Sequence, residues 1–266
     1  VRWRNPYNGK DSYVSFDNTK FIVFWSKNPA PLFPFLPILK QKGIGCYVQY
    51  TLNDYEAEGL EPSVPPLHGR IETFKRLVDE LGLGSVVWRF DPLILTDRIS
   101  AEDLLHKISN IAGGLRGYVE KLVFSFADIS SYRKVGRNLS DAGINYHEWS
   151  EDEMVEFSRR LADMNLGLEL ATCAEKIDLS EYGINHNRCI DPELIVRLSP
   201  ELEPLIRNSK TDKGQRSLCG CITSKDIGTY NTCPHGCAYC YANTSPVSAR
   251  QNYLRHQQNP DNDSII

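Results

Sequence analysis

The chain has no apolar run approaching the roughly 18 residues that a helix needs to cross a bilayer. No basic-then-apolar leader is visible at its start, and the first residue, Val1, is not methionine. Membrane insertion is therefore not expected. Positive charge is not in excess either: 30 Lys and Arg stand against 34 Asp and Glu, a formal net charge of −4. A broad surface for polyanions needs the opposite balance, so nucleic acid is not a favoured partner, although a local basic groove remains compatible with this total. Eight cysteines are present, and they are clustered as metal ligands are. With no leader to imply secretion, reduced thiols in a cytoplasmic setting are expected rather than disulfides.

With 266 residues, 41% of them hydrophobic and 24% charged, the chain can bury a full core. Strand and helix patterns alternate five times. Apolar runs at 21–25, 43–51, 85–90, 121–126 and 166–171 read as strands. Between them lie helical stretches: 29–41, the face Ile71, Phe74, Leu77, Val78 and Leu81, and two helices that open on Ser100 and Ser150 with capping-box spacing. The alternation predicts a parallel sheet covered by helices, at this length a partial or closed (β/α) barrel of the TIM type. Chemistry in such folds gathers at the C-terminal strand ends, which here carry Lys27, Asn28, Gln49, Thr51, Arg89, Asp91, Ser125, Asp128, Glu169 and Cys173. Arg89 and Asp91 straddle Phe90 and point to one side, which suits a structural ion pair as well as cofactor binding. Lys27 can meet a carboxylate or merely end its strand, and Gln49 with Thr51 suits either ligand recognition or a hydrogen-bonded layer.

One stretch stands apart, Cys233-Pro-His-Gly-Cys237-Ala-Tyr-Cys240. Three thiols this close surround a single centre only if the backbone turns back, and Pro234 and Gly236 supply stiffness and a turn. Three ligands leave a fourth position unclaimed. Structural zinc sites close with four protein ligands, whereas sites that do chemistry keep one position open. In an iron–sulfur reading, three thiolates hold three irons of a cubane and the fourth iron faces a ligand. His235, inside the loop, suits turn geometry more than ligation.

The pattern Cys-x-x-x-Cys-x-aromatic-Cys resembles the cluster loop of the radical S-adenosylmethionine superfamily. Over nearly its whole length, through Phe24-Trp25-Ser26-Lys27-Asn28-Pro29, Val87-Trp88-Arg89-Phe90-Asp91-Pro92 and Tyr230-Asn231-Thr232-Cys233-Pro234-His235-Gly236-Cys237, the chain resembles a bacterial family, domain of unknown function 1848. The superfamily resemblance implies a [4Fe-4S] cluster on Cys233, Cys237 and Cys240, with Tyr239 beside the adenine of S-adenosyl-L-methionine. It implies a 5'-deoxyadenosyl radical that takes a hydrogen atom from a substrate the sequence does not name, and an electron donor such as flavodoxin or ferredoxin. Lys27, Asn28, Gln49, Thr51, Arg89 and Asp91 are then candidates for holding the cofactor. Two departures are visible. The superfamily's loop usually follows the first strand, whereas here it comes last, and Gly113-Gly114 lacks the acid of the Gly-Gly-Glu signature. The resembled bacterial family usually has one more strand upstream, so the front of the barrel is expected to be missing.

The other cysteines pose a second question. Cys219 and Cys221 flank Gly220, and Cys173 and Cys189 lie either side of a loop; if the four converge they make a closed four-thiolate site for zinc or a second iron–sulfur cluster. Cys46 is left as a buried thiol. The expected organisation is a barrel over 1–198 and a cysteine-rich segment with a polar tail over 199–266, joined by a Pro-, Lys-, Asp- and Gly-rich connector between 198 and 218. Two other functions fit these residues: a zinc-binding barrel protein or hydrolase with water at an open position, and a non-catalytic iron–sulfur protein for electron transfer or redox sensing.

Overall fold

The computed structural model describes residues 1–5, 9–212, 214 and 219–265; residues 213 and 215–218 of the expected connector lie outside the described residues. The strands are β1 (Arg2–Arg4), β2 (Asp11–Tyr13), β3 (Phe21–Ser26), β4 (Gly45–Thr51), β5 (Val86–Leu93), β6 (Leu95–Thr96), β7 (Lys121–Phe126), β8 (Tyr146–His147), β9 (Glu169–Thr172) and β10 (Asn185–His186). The helices are α1 (Leu36–Gln41), α2 (Leu67–Leu81), α3 (Ala101–Gly114), α4 (Arg133–Asp141), α5 (Glu151–Asp163), α6 (Pro192–Leu198), α7 (Glu203–Arg207) and α8 (Pro246–Gln258). β1 and β2 form an antiparallel hairpin, and β6 pairs with β8 outside the main sheet. The other six strands make one all-parallel sheet in chain order, β3-β4-β5-β7-β9-β10.

Strand periodicity gives this sheet two different faces. Val48, Tyr50, Trp88, Phe90, Leu122 and Phe124 point into the main core, with Phe74 and Leu77 of α2, Leu104 and Ile108 of α3 and Phe157 and Leu161 of α5. The alternate residues Val87, Val123 and Ala171 form a smaller cluster on the other face, with Cys173 and Leu194 against it. That second face is more polar, because Gln49, Arg89, Asp91 and Ser125 share its parity.

The second face is concave. Cys189 lies three chain steps beyond His186, the last residue of β10, a reach of at most about 10 Å. Yet the Cys189 carbonyl accepts hydrogen bonds from Tyr47 and Gln49 of β4, four strand spacings of about 4.8 Å away along a flat sheet. Only a curled sheet brings the two together. α6 then packs against β4, and a Cβ added to Gly45 would stand 2.5 Å from Ser199 Oγ, so the glycine admits this close approach. Of the two expected forms, partial or closed, closure is not found among the described residues: β3 and β10 stay at opposite edges of the sheet. The chain after β10 turns inward over the concave face instead of continuing the ladder.

Three of the five expected strands are found within two residues of their sequence bounds, and the one expected at 85–90 runs on to Leu93. The fifth runs Glu169–Thr172 rather than 166–171, which puts Glu169 at a strand start, paired with Lys121 at 2.9 Å, and not on the functional rim. Gly113 and Gly114 close α3. The last dozen residues, expected as a mobile tail, begin inside α8, which Ser245 caps and Pro246 opens. No described helix is long and apolar enough to cross a membrane.

Ser100 and Ser150 each close a capping box, with Asp103 and Glu153 returning the bond. Ser150→Ala is expected to cost about 1 kcal/mol. In urea titrations this appears as a lower midpoint with an unchanged slope.

Candidate functional site

Parallel pairing places six strand ends on one rim, and the candidate residues gather there. Lys27 follows β3, Asn53 follows β4, Arg89 and Asp91 lie near the end of β5, Ser125 near that of β7, and Cys173 just after β9. They form two adjoining polar layers.

The first layer centres on Glu61, in the proline-rich loop after β4 and 2% exposed. One of its oxygens accepts from Lys27 Nζ at 2.9 Å, from Asn53 Nδ2 at 3.2 Å and from the Tyr239 hydroxyl. The other faces Arg70 Nη1 of α2 at 3.7 Å, too far for a hydrogen bond. Burial pushes the Glu61 carboxyl up, but Lys27, the Tyr239 hydroxyl and Arg70 together outweigh it and hold the group below the ordinary range. Among the described residues, Glu61 Oε2, Arg70 Nε and Arg70 Nη1 have no hydrogen-bond partner.

The three-cysteine loop lies over this layer. Ala238 donates its N–H to the Leu60 carbonyl at 2.9 Å, Ser63 donates to the His235 carbonyl at 3.2 Å, and the His235 ring bonds the Ser63 carbonyl at 3.0 Å. Gly236 takes φ +65°, the left-handed conformation that folds the loop back. Cys233 is exposed, and Cys237 and Cys240 are partly buried. Desolvation raises the Cys233 thiol and pushes Cys237 up to about 12, while Lys27 pulls both the other way. Tyr239 turns inward: it is 8% exposed, meets Tyr55 edge-on at 6.1 Å, and has Lys27 Nζ 5.3 Å from its ring centre.

The second layer centres on Arg89, which is fully buried. It pairs with Asp91 and donates to Gln49 Oε1 and to Cys189 Sγ, both at 3.4 Å. Its guanidinium carbon lies 4.4 Å from the centre of the half-exposed Trp25 ring. Burial alone would lower its affinity for a proton, but Asp91 dominates and keeps it charged. Asp91 accepts a short bond from Ser125 and sits below its ordinary range, burial being outweighed by Arg89. Asn53 ties the layers, donating to the Asp91 carbonyl at 3.2 Å and accepting from the Asp91 N–H at 2.9 Å. Thr51 is buried and Asn28 partly so, its N–H bonded to Ser26 Oγ at 3.0 Å.

The four remaining candidate cysteines do come together. Cys173 and Cys189 have sulfurs 3.5 Å apart, Cys219 and Cys221 3.0 Å apart, and Cys221 Sγ accepts the N–H groups of Cys189 and Ile190 at 3.1 and 3.2 Å. Among the described residues no group of three or more His, Cys, Asp or Glu side chains is placed to hold a metal ion; these sulfurs close on one another instead. Hydrogen bonds from neighbouring thiol and backbone donors lower Cys173 to about 6 and Cys221 to about 5. Cys46 lies on β4, with its thiol raised by burial to about 11.

Sequence reasoning missed Glu61 and Arg70. Arg70 had a signal, since it falls one helical turn before Phe74 on a buried face; Glu61, in a loop, had none. Two shallow depressions, one lined by Ser140 and Gly143–Tyr146 and one by residues around Gly167 and Tyr182, include no rim residue.

A family model described as "Domain of unknown function (DUF1848)" matches residues 1–242. No curated protein and no solved structure matches the chain.

Lys27→Met leaves Glu61 its bonds from Asn53 and Tyr239 but only the more distant Arg70 as a cation. It is expected to cost about 2–3 kcal/mol, below the figure for a fully buried pair because Lys27 keeps some water. Glu61→Gln tests the sign of the linkage. A depressed carboxyl contributes stability above its unfolded pKa and loses it as pH falls through the folded value. The stability gap between wild type and Glu61→Gln, from urea midpoints, should therefore shrink as the pH falls below about 4.

Proposed function

We propose that this chain, which belongs to the family of domain of unknown function 1848, is an iron–sulfur enzyme of the radical S-adenosylmethionine kind on an open β/α barrel. The observation that carries the reading is the docking of the Cys233–Cys240 loop on the C-terminal rim of a curled parallel sheet, above a buried polar layer. Brought to such a rim, three thiolates from one loop suit a cubane with one iron left for a ligand. The chain order of the six strands and the inward turn after β10 support the barrel reading.

Cys233, Cys237 and Cys240 would hold the cluster, and with S-adenosyl-L-methionine it would supply one-electron chemistry that no side chain here provides. The chain's own residues have separate work. Lys27, between the loop and Glu61, offsets negative charge gathered by the thiolates. The unpartnered Glu61 Oε2 and Arg70 donors offer a place for polar groups of a ligand. Buried Tyr239 anchors the loop from below through Glu61 and Asn53, and Tyr55 and Leu60 keep water from its inner side.

The test is anaerobic purification with metal and sulfide counted, followed by electron paramagnetic resonance of the reduced protein with and without S-adenosyl-L-methionine. About four irons and four sulfides at the loop are expected, with a signal that changes on adding the cofactor. Cys237→Ala should lose that iron while keeping its circular dichroism, because the core lies elsewhere. Zinc without sulfide would move the protein to the hydrolase reading. A cluster indifferent to the cofactor would make it an electron carrier or sensor.

A further inference from the structure

The second set of thiols has a geometry unlike the first. Cys173 leaves β9, Cys189 follows β10, and Cys219 and Cys221 return from the far side of the connector, so three separate stretches of chain converge on one point of the concave face. Their sulfurs touch in a chain, Cys173 to Cys189 at 3.5 Å and Cys219 to Cys221 at 3.0 Å, with Cys221 held against the backbone of Cys189.

We propose that Cys173, Cys189, Cys219 and Cys221 bind one tetrahedral divalent ion of the zinc type, distinct from the site on the 233–240 loop. Distance decides between one ion and a cluster. Four sulfurs about 2.3 Å from a common zinc stand about 3.8 Å from one another. The Cys173–Cys189 and Cys219–Cys221 pairs fall short of that edge by about 0.3 and 0.8 Å, so both pairs must open outward for an ion to enter between them. A cubane instead seats each thiolate on a different iron, with the whole cluster between them. Sulfurs in direct contact leave no room for that core.

The surroundings suit a closed, structural ion. Several donors face the sulfurs: Arg89 Nη1 reaches Cys189 Sγ at 3.4 Å, Asn187 Nδ2 reaches it at 3.6 Å, and two backbone N–H groups reach Cys221. Four thiolates around a dication carry a net charge of −2, and buried Arg89 offsets part of it. Such outer donors orient metal ligands and strengthen their hold. All four positions come from protein, so the ion's role is to fasten the returning connector to the inner face rather than to meet a substrate.

The experiment uses the full chain carrying Cys233→Ala, Cys237→Ala and Cys240→Ala, which removes the loop site whatever it binds. Purified without oxygen and titrated with Zn²⁺ or Co²⁺, it should take up about one ion, and cobalt should give the absorption of tetrahedral thiolate coordination. Adding Cys219→Ser, at a partly exposed position, should weaken binding at least tenfold with circular dichroism unchanged. Cys219→Asp should retain the ion with an altered cobalt spectrum. Iron with sulfide in the triple variant, no uptake of either ion, or a Cys173–Cys189 or Cys219–Cys221 disulfide in the anaerobic protein would each overturn the proposal. None of these outcomes depends on what the loop holds.

Discussion

Arg89 has no access to water, and the concave face is arranged around that charge. A buried guanidinium is tolerated only when its donors are answered. The answers come from the length of the sheet: Trp25 on β3, Gln49 on β4, Asp91 on β5 and Cys189 beyond β10. One cation thus binds the two edge regions to the middle. It also explains the inward turn after β10, since the stretch that brings a sulfur to Arg89 brings a carbonyl to Tyr47 and Gln49. Apolar burial gives the sheet its outer face, while the inner face has a charge to neutralise.

The rim carries a second buried charge, Glu61, and the two are not independent. Asn53 donates to Glu61 and to Asp91's carbonyl and accepts from Asp91's N–H, so a shift in one layer is felt in the other. The charges alternate along the rim: Arg70, Glu61, Lys27, Asp91, Arg89. Each set of thiols lies beside a cation, the loop beside Lys27 and the four-cysteine group beside Arg89. A nearby cation favours thiolate over thiol, whereas burial without one disfavours it. Burial still wins at Cys237, which rises although Lys27 is near, as it does at Cys46, where no cation is among the causes.

Much of this was legible in the sequence, and the gaps have physical reasons. The strand at 121–126 and the two capping boxes were plain because local pattern and tertiary role agree there. Strand parity put Arg89 and Asp91 on one side and allowed an ion pair as one of two readings, and the count of thiols raised the meeting of Cys173, Cys189, Cys219 and Cys221 only as a condition. Short elements escaped: β10 has two residues and α6 seven, too few for a period to show. α8 was passed over for its polar composition, although Ser245-Pro246 is a cap followed by a helix-opening proline. Glu61 was illegible for a different reason. A carboxylate in a proline-rich loop looks solvated until the chain from 233 to 240 folds over it, and contact across more than 170 residues leaves no mark on local pattern.

The late position of the three-cysteine loop loses its force as an objection once its attachment is considered. What a parallel sheet offers is a rim in space, and any segment can reach that rim if something there receives its backbone. Here the receiver is the loop after β4, through Leu60 and Ser63. Those contacts use main-chain groups and a turned histidine, so they require the shape of the 52–64 loop more than its side chains. Tyr239 adds the specific element: its hydroxyl ends on Glu61, which Lys27 of the first rim strand already holds. The loop is therefore tied to β3's end by two polar contacts, although more than 200 residues separate them. A buried ion pair at the rim thus holds the 233–240 loop beside the end of β3.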